Sequence, residues 1–166
     1  MFLINVVHNQ TKSNQTKIII NTSAQPNSSP HLGTITTIMC SFALAKRLKI
    51  YFGIDTEVLF DELENSPAET FKINNNLYYK DLKHTLADDS QSLEIVYMDK
   101  FKRILDKISE LSGINYRIRS YEEFQRNKFV RQSLIKIFND KDYFTNLLFP
   151  SSNDLHIRTI CPSCYL

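Results

Sequence analysis

The sequence predicts an α/β fold in which helices flank a parallel sheet, and three observations lead to this prediction. A β-branched run at Lys17–Asn21 and a short apolar run at Glu57–Phe60 are each typical of a buried strand. Between them, from His31 to about Leu48, apolar residues recur every three or four positions, as on a helix with one buried face. Strand, helix and strand within about 45 residues form a βαβ unit, whose crossover makes the two strands parallel.

The first helix has signals at both of its ends. Pro30 stands at the start, where a missing N–H costs nothing, and Gly53 is placed to cap the end. Its predicted buried face consists of Leu32, Ile35, Met39, Phe42 and Ala45.

The rest of the chain predicts one insertion and three further elements. Residues 63–92 are polar and irregular, which indicates a loop-rich insertion with a short helix near Tyr78–Leu86. Beyond it we predict a helix over Leu93–Ser112 capped by Gly113, a strand over Asn115–Arg119 and a helix over Tyr121–Asn139.

The overall composition is that of an ordinary globular domain. Of the 166 residues, 42% are hydrophobic and 23% are charged, and the formal net charge is +2. A chain of this length buries roughly 70% of its unfolded surface, so one core and one domain are expected. The small net charge does not by itself predict nucleic-acid binding.

The scarcity of glycine excludes two familiar nucleotide-binding loops. The chain has only three glycines, at positions 33, 53 and 113, where average usage would give about a dozen. A Walker-type phosphate loop and a G-x-G-x-x-G fingerprint both need clustered glycines. Any phosphate site must therefore be built in another way.

The segment between the first strand and the first helix is the best candidate for chemistry. Ligands of open parallel sheets bind at the carboxyl ends of strands, and the N–H groups of a helix start suit phosphate. His31 opens the helix and can donate a hydrogen bond to a phosphoryl oxygen. Gly33 costs about 1 kcal/mol relative to alanine inside a helix, which calls for a compensating reason. The alternative interpretation is a plain helix start with an incidental histidine.

His31-Leu32-Gly33-Thr34 resembles the "HIGH" signature of class I aminoacyl-tRNA synthetases, in which a strand and a Pro-containing loop lead into the helix. The resemblance implies a Rossmann-like, HUP-type parallel sheet, here the first half of such a catalytic domain. It implies activation of an amino acid with ATP and Mg²⁺, followed by transfer to tRNA. By this match His31 and Thr34 are catalytic, and Pro26, His31, Gly33 and Thr34 bind ATP.

Further resemblances concern the amino acid and a metal. Phe60-Asp61-Glu62 resembles the acidic loop of the glutamate-type and class I lysyl-tRNA synthetases, so Ser23, Gln25, Asp61 and Glu62 are expected to bind the amino acid, lysine in the closest branch. Cys161-Pro-Ser-Cys164 resembles the first half of a zinc knuckle, which implies structural Zn²⁺. For Asp61 and Glu62 the alternative is a solvated strand end, and for Cys161 and Cys164 it is two thiols without metal. By these resemblances, residues 1–160 are a Rossmann-like nucleotide-binding domain and residues 161–166 are the start of a possible zinc knuckle.

Two departures from the family keep other functions open. Thr34 stands where the family has His or Asn, and the Lys-Met-Ser-Lys-Ser signature does not occur in these 166 residues. The alternatives are a truncated or stand-alone paralogue that binds nucleotide or tRNA without catalysis, and a small HxGH-type nucleotidyltransferase.

Compartment and partners follow from weaker signals. The sequence shows neither a signal peptide nor an apolar run of about 18 residues, so we expect no membrane partner. Three cysteines, an odd number with one C-x-x-C pair, favour a reducing cytoplasm. Arginines are candidate tRNA contacts or solvated surface: Arg117, Arg119, Arg126 and Arg131.

Overall fold

The protein is an α/β structure built on a parallel sheet, as the sequence predicts. The computed structural model describes residues 16–151, 154, 155 and 157. In chain order the elements are β1 (Lys17–Ala24), α1 (Leu32–Phe52), β2 (Asp55–Glu62), β3 (Pro67–Ile73), β4 (Asn76–Asp81), α2 (Leu93–Ser112), β5 (Asn115–Ser120), α3 (Tyr121–Arg126), α4 (Lys128–Asn139) and α5 (Lys141–Leu148).

The main sheet has three strands in the order β1-β2-β5, with both pairs parallel. Ile20 pairs with Val58, and Val58 pairs in turn with Tyr116. The three strands therefore end at one edge of the sheet, where Ala24, Glu62 and Ser120 lie. Loops that follow parallel strands meet at this edge, which positions the candidate site.

One face of the sheet and two helices enclose the core. Because strand side chains alternate, Val58 and Phe60 point to the same face of β2. They pack against α1 and α2 in a cluster completed by Ile38, Phe42, Ala45, Met98, Phe101, Leu105 and Ile114. Burying apolar side chains of this size contributes about 1.5–3 kcal/mol each, so this cluster holds the helices on the sheet.

The predicted buried face of α1 is partly wrong. Phe42 and Ala45 are buried, but Leu32 and Met39 are 79% and 54% exposed, and Ile38 and Leu48 are buried instead. Most positions between 32 and 52 are apolar or small, so several stripes have helical spacing, and the contact with the sheet selects one of them. The predicted C-cap is confirmed, because Gly53 has φ of 65° and its N–H donates to the Lys49 carbonyl.

The helix predicted near Tyr78–Leu86 is wrong. Strands β3 and β4 form an antiparallel hairpin instead, with Phe71 paired to Tyr78. Asn74 and Asn75 have φ of 48° and 66°, the positive values that a two-residue hairpin turn of type I′ requires. Asparagine tolerates this conformation, so the Asn run is a turn between two strands rather than part of an irregular loop.

The helix predicted over Tyr121–Asn139 is two helices. Asn127 is extended, with φ of −63° and ψ of 129°, and it ends α3. Its side chain accepts a hydrogen bond from the Phe129 N–H at 2.9 Å, which caps α4. None of the helices in the described part of the chain is long and apolar enough to cross a membrane.

Candidate functional site

A polar cleft of about 400 Å³ opens at the carboxyl end of β1. It is lined by Ser23 and Ala24 of β1, by loop residues 25 and 27–30, by the start of α1 and by Phe101 of α2. None of its lining residues is Lys, Arg, Asp or Glu. The cleft therefore offers hydroxyls, amides, an imidazole and the free N–H groups of a helix start.

His31 is the N-cap of α1. Its backbone is extended, with φ of −90° and ψ of 168°, and its ring folds over the first turn. The Thr34 N–H donates to Nδ1 at 3.4 Å, and Nε2 lies 3.1 Å from Thr34 Oγ1. In the neutral tautomer in which Nδ1 accepts, Nε2 is the protonated nitrogen, and its N–H donates a hydrogen bond to that hydroxyl. The imidazole thus satisfies a backbone donor that the helix start leaves unpaired.

Gly33 makes room for this cap. A Cβ at position 33 would lie 3.2 Å from both Cε1 and Nδ1 of His31, closer than ordinary van der Waals contact. The absence of a side chain therefore lets the imidazole lie against the first turn. This contact gives a structural reason for a glycine inside a helix, where sequence alone pointed to a ligand.

Lys100 brings a cation to the edge of the cleft, and no sequence pattern indicates this position. Its Nζ donates to Ser29 Oγ at 2.8 Å, and Ser29 lines the cleft. The same Nζ lies 5.3 Å from the centroid of the Tyr97 ring, a cation–π distance. Lys100 and Ser29 are 71 residues apart in sequence, so no local pattern could associate them.

The structure brings half of the ten predicted site residues together in the cleft. Five of them line the cleft: Ser23, Gln25, His31, Gly33 and Thr34. Pro26 is fully buried in the loop beneath and does not line the cleft. Asp61 and Glu62 do not line it either. Because consecutive residues of β2 point to opposite faces of the sheet, these two carboxyl groups also lie apart from each other.

Asp61 is engaged on the sheet face opposite α1 and α2. Its carboxylate accepts two hydrogen bonds from Arg119, at 2.6 and 2.8 Å, and one from Asn21 at 2.9 Å. Burial raises the pKa of Asp61, but the hydrogen bonds from Arg119 and Asn21 outweigh it and hold the pKa below its usual value. The charge of Asp61 is thus committed to joining the three strands.

Glu62 lies on the helix-covered face and is 8% exposed. Burial, a hydrogen bond with Glu94 of α2 and the charge of Glu64 raise the pKa of Glu62 to about 8, although Lys102 opposes the shift. At neutral pH this carboxyl is mostly protonated. In that state it is a weak counter-ion for an ammonium group.

The four candidate tRNA-contacting arginines all have partners within the chain. Arg117 pairs with Glu57 and Glu123, and Arg119 pairs with Asp61. Arg126 pairs with Glu122, and the Arg131 Nε donates to the Gln125 carbonyl. The contact of these arginines with tRNA therefore stays a prediction.

A second cavity of about 310 Å³ lies beside the ends of β2 and β4. In it the buried Asp81 Oδ1 accepts from the His84 N–H at 2.9 Å and lies 2.7 Å from His84 Nδ1. Glu64 accepts from the Tyr121 and Glu122 N–H groups at 2.6 and 3.0 Å. These contacts order the turn after β4 and the start of α3.

The predicted zinc ligands Cys161 and Cys164 lie outside the described residues. Within the described ranges, no three His, Cys, Asp or Glu side chains are grouped so that they could hold a metal ion. No protein-family model matches the chain, and no similar sequence was found among curated proteins.

Proposed function

We propose that this chain is the nucleotide-binding half of a Rossmann-like, HUP-type catalytic domain that activates an amino acid with ATP for tRNA charging in the cytoplasm. One observation supports it above all. His31, Gly33 and Thr34 of the signature-like segment meet Ser23 and Gln25 in a single cleft at the carboxyl end of a parallel strand. This is where α/β proteins of open parallel sheets bind ligands.

The cleft suits phosphate because its donors converge on the start of α1. The N–H groups of the first helical turn carry a partial positive charge of about half an elementary charge. The His31 ring, now hydrogen-bonded to Thr34, can turn outward and donate to a phosphoryl oxygen. The hydroxyl and N–H of Thr34 are then released to the same ligand.

In the proposed reaction a carboxylate oxygen of the amino acid attacks the α-phosphorus of ATP. The bond from that phosphorus to the α,β-bridging oxygen breaks, and pyrophosphate leaves with both bonding electrons. The chain contributes orientation and hydrogen bonds to charge that develops on the phosphate oxygens. Mg²⁺ accompanies ATP as the counter-ion of its phosphates.

Among the described residues, the two carboxyl groups predicted to bind the amino acid do not suit the ammonium group of a lysine side chain. Asp61 is paired with Arg119, and Glu62 is mostly protonated at neutral pH. The proposal therefore covers ATP, an amino acid held through Ser23 and Gln25, and tRNA as acceptor, without specifying the amino acid's side chain.

A second candidate function is nucleotide binding without turnover. The Lys-Met-Ser-Lys-Ser signature, whose lysines stabilise the activated phosphates in the family, does not occur in the sequence. ATP–pyrophosphate exchange, measured with each of the twenty amino acids, separates the two candidates. Exchange that depends on one amino acid supports the ligase, and ATP binding without exchange supports the second candidate.

The site itself is tested by calorimetric titration of ATP·Mg²⁺ into the wild type and two His31 variants. His31→Ala removes both the helix cap and the imidazole, whereas His31→Ser keeps a good cap and removes only the imidazole. We expect both variants to bind ATP at least about tenfold more weakly, which corresponds to one lost hydrogen bond to a charged group.

Each other outcome is equally informative. If His31→Ser binds ATP as the wild type does, then the histidine serves as a cap and does not contact phosphate. If the wild type binds no ATP at millimolar concentration, the nucleotide site is wrong.

A further inference from the structure

The residues that line the cleft provide no cationic side chain for the phosphates of the nucleotide that we propose binds there. ATP carries several negative charges, yet none of the lining residues is a lysine or an arginine. Thr34, which stands where the resembling family has His or Asn, cannot carry a positive charge. The partial charge of one helix start falls short of neutralising a triphosphate.

Lys100 lies where the missing charge is needed. Its ammonium group is hydrogen-bonded at 2.8 Å to the hydroxyl of Ser29, a residue that lines the cleft. The next residue, Phe101, lines the cleft and is buried in the core, so this part of α2 is fixed relative to the cleft. The Tyr97 ring, one turn earlier on the helix, also contacts the ammonium group, with its centroid 5.3 Å from Nζ.

This arrangement differs from that of Lys107 on the same helix. Lys107 pairs with Glu110, one turn away on the same helix. Among the described residues, Lys100 contacts a neutral hydroxyl and an aromatic ring, and a phosphate oxygen can replace both without breaking an ion pair between these residues. Lysine acts as a point charge on phosphates and needs no fixed fork geometry.

We infer that Lys100 is the cation that binds the phosphates of a nucleoside polyphosphate in this cleft, an inference that rests on the proposed ATP site. Ser29 positions the ammonium group in the free protein and releases it to the ligand. Lys100 thereby supplies from α2 the charge that the signature-like segment on α1 lacks.

The test compares ATP·Mg²⁺ with adenosine, a ligand without phosphates, by calorimetric titration. We expect Lys100→Ala to weaken ATP binding by about tenfold or more and to change adenosine binding by less than about twofold. Lys100→Arg keeps the charge and should restore most of the ATP affinity. Lys107→Ala, which removes the same charge from the same helix, should bind both ligands as the wild type does.

Two results would overturn the inference. Equal weakening of ATP and adenosine by Lys100→Ala would show a packing effect through Tyr97 and Phe101, and the arginine variant would then share the defect. Unchanged ATP binding in Lys100→Ala would show that the lysine has no part in the site. If the wild type binds ATP and the His31 variants bind it more weakly, either result refutes only the role of Lys100 and leaves the proposed ATP site in place. If the wild type does not bind ATP, the proposed nucleotide site is itself wrong.

Discussion

In the ligand-free protein, His31, Gly33 and Thr34 together cap the start of α1. The imidazole accepts from the Thr34 N–H, contacts its hydroxyl, and lies in the space that Gly33 leaves open. A helix cap is worth about 1 kcal/mol, similar to the cost of glycine in a helix interior. The stabilisation by the cap nearly offsets the cost of the glycine, so Gly33 needs no ligand to compensate for it.

This coupling predicts the result of a double-mutant cycle on the free energy of unfolding. In the wild type, Gly33→Ala gains about 1 kcal/mol of helix propensity and loses a similar amount by displacing the His31 ring, so stability changes little. In a His31→Ala background there is no ring to displace, and Gly33→Ala should stabilise by about 1 kcal/mol. Urea unfolding of the four proteins measures the coupling, and equal effects in both backgrounds would contradict the cap.

The contact between β2 and α2 buries a carboxyl group whose pKa is strongly raised. Glu62 is buried against Glu94, and its pKa is raised from 4.5 to about 8. The folded chain therefore holds a proton that the unfolded chain releases between these two pH values. Because the folded state binds more protons, raising the pH through this window lowers the free energy of unfolding.

We predict that Glu62→Gln removes this dependence on pH. Glutamine resembles the protonated carboxyl, so the variant should exceed the wild type in stability by about 4 kcal/mol at pH 8.5 and by about 1 kcal/mol at pH 5. Chemical denaturation across pH 5–8.5 provides the measurement, with Glu110→Gln, which changes an exposed carboxylate of α2, as the control. Asp61 does not interfere, because its pKa lies below 3.8 and its contribution is lost only in more acidic solution. A wild-type pH slope retained in Glu62→Gln would refute the assignment.

The elements with long or strongly apolar patterns could be predicted from sequence, and the contacts between them could not. The three parallel strands and the helices α1 and α2 lie near their predicted ranges, because helical periodicity over some 20 residues is a strong signal. The hairpin was missed because its alternation is short and its Asn turn looks like loop. Lys100 and the setting of Glu62 depend on tertiary contacts, which a local pattern does not contain.

Across the residues that the structure describes, packing is uneven. The core cluster joins the parallel sheet to α1 and α2, whereas α4 and α5 leave large apolar side chains exposed. Phe129 is 75% exposed and Tyr143 is 64% exposed, and neither helix buries an apolar residue fully. Segments with few buried apolar contacts open at lower free energy than the core does.

Hydrogen exchange should follow this division. We predict slow exchange for amides of β2 and of the middle of α2, and exchange faster by about two orders of magnitude or more in α4, α5 and the β3–β4 hairpin. Mass spectrometry of peptides from a time course provides the measurement. Protection of α4 equal to that around Leu105 would show that the segment belongs to the cooperative core.

The hydrogen bond between Lys100 and Ser29 also bears on how the chain folds. Its partners are 71 residues apart, and the parallel strands likewise join distant segments. Such contacts form only after large loops have closed, so the chain has a high contact order and should fold slowly for its size. The cleft cannot exist on a partly folded chain, since α1 and α2 must both be docked. A ligand that bridges them would therefore bind late, and its arrival would report that folding is complete.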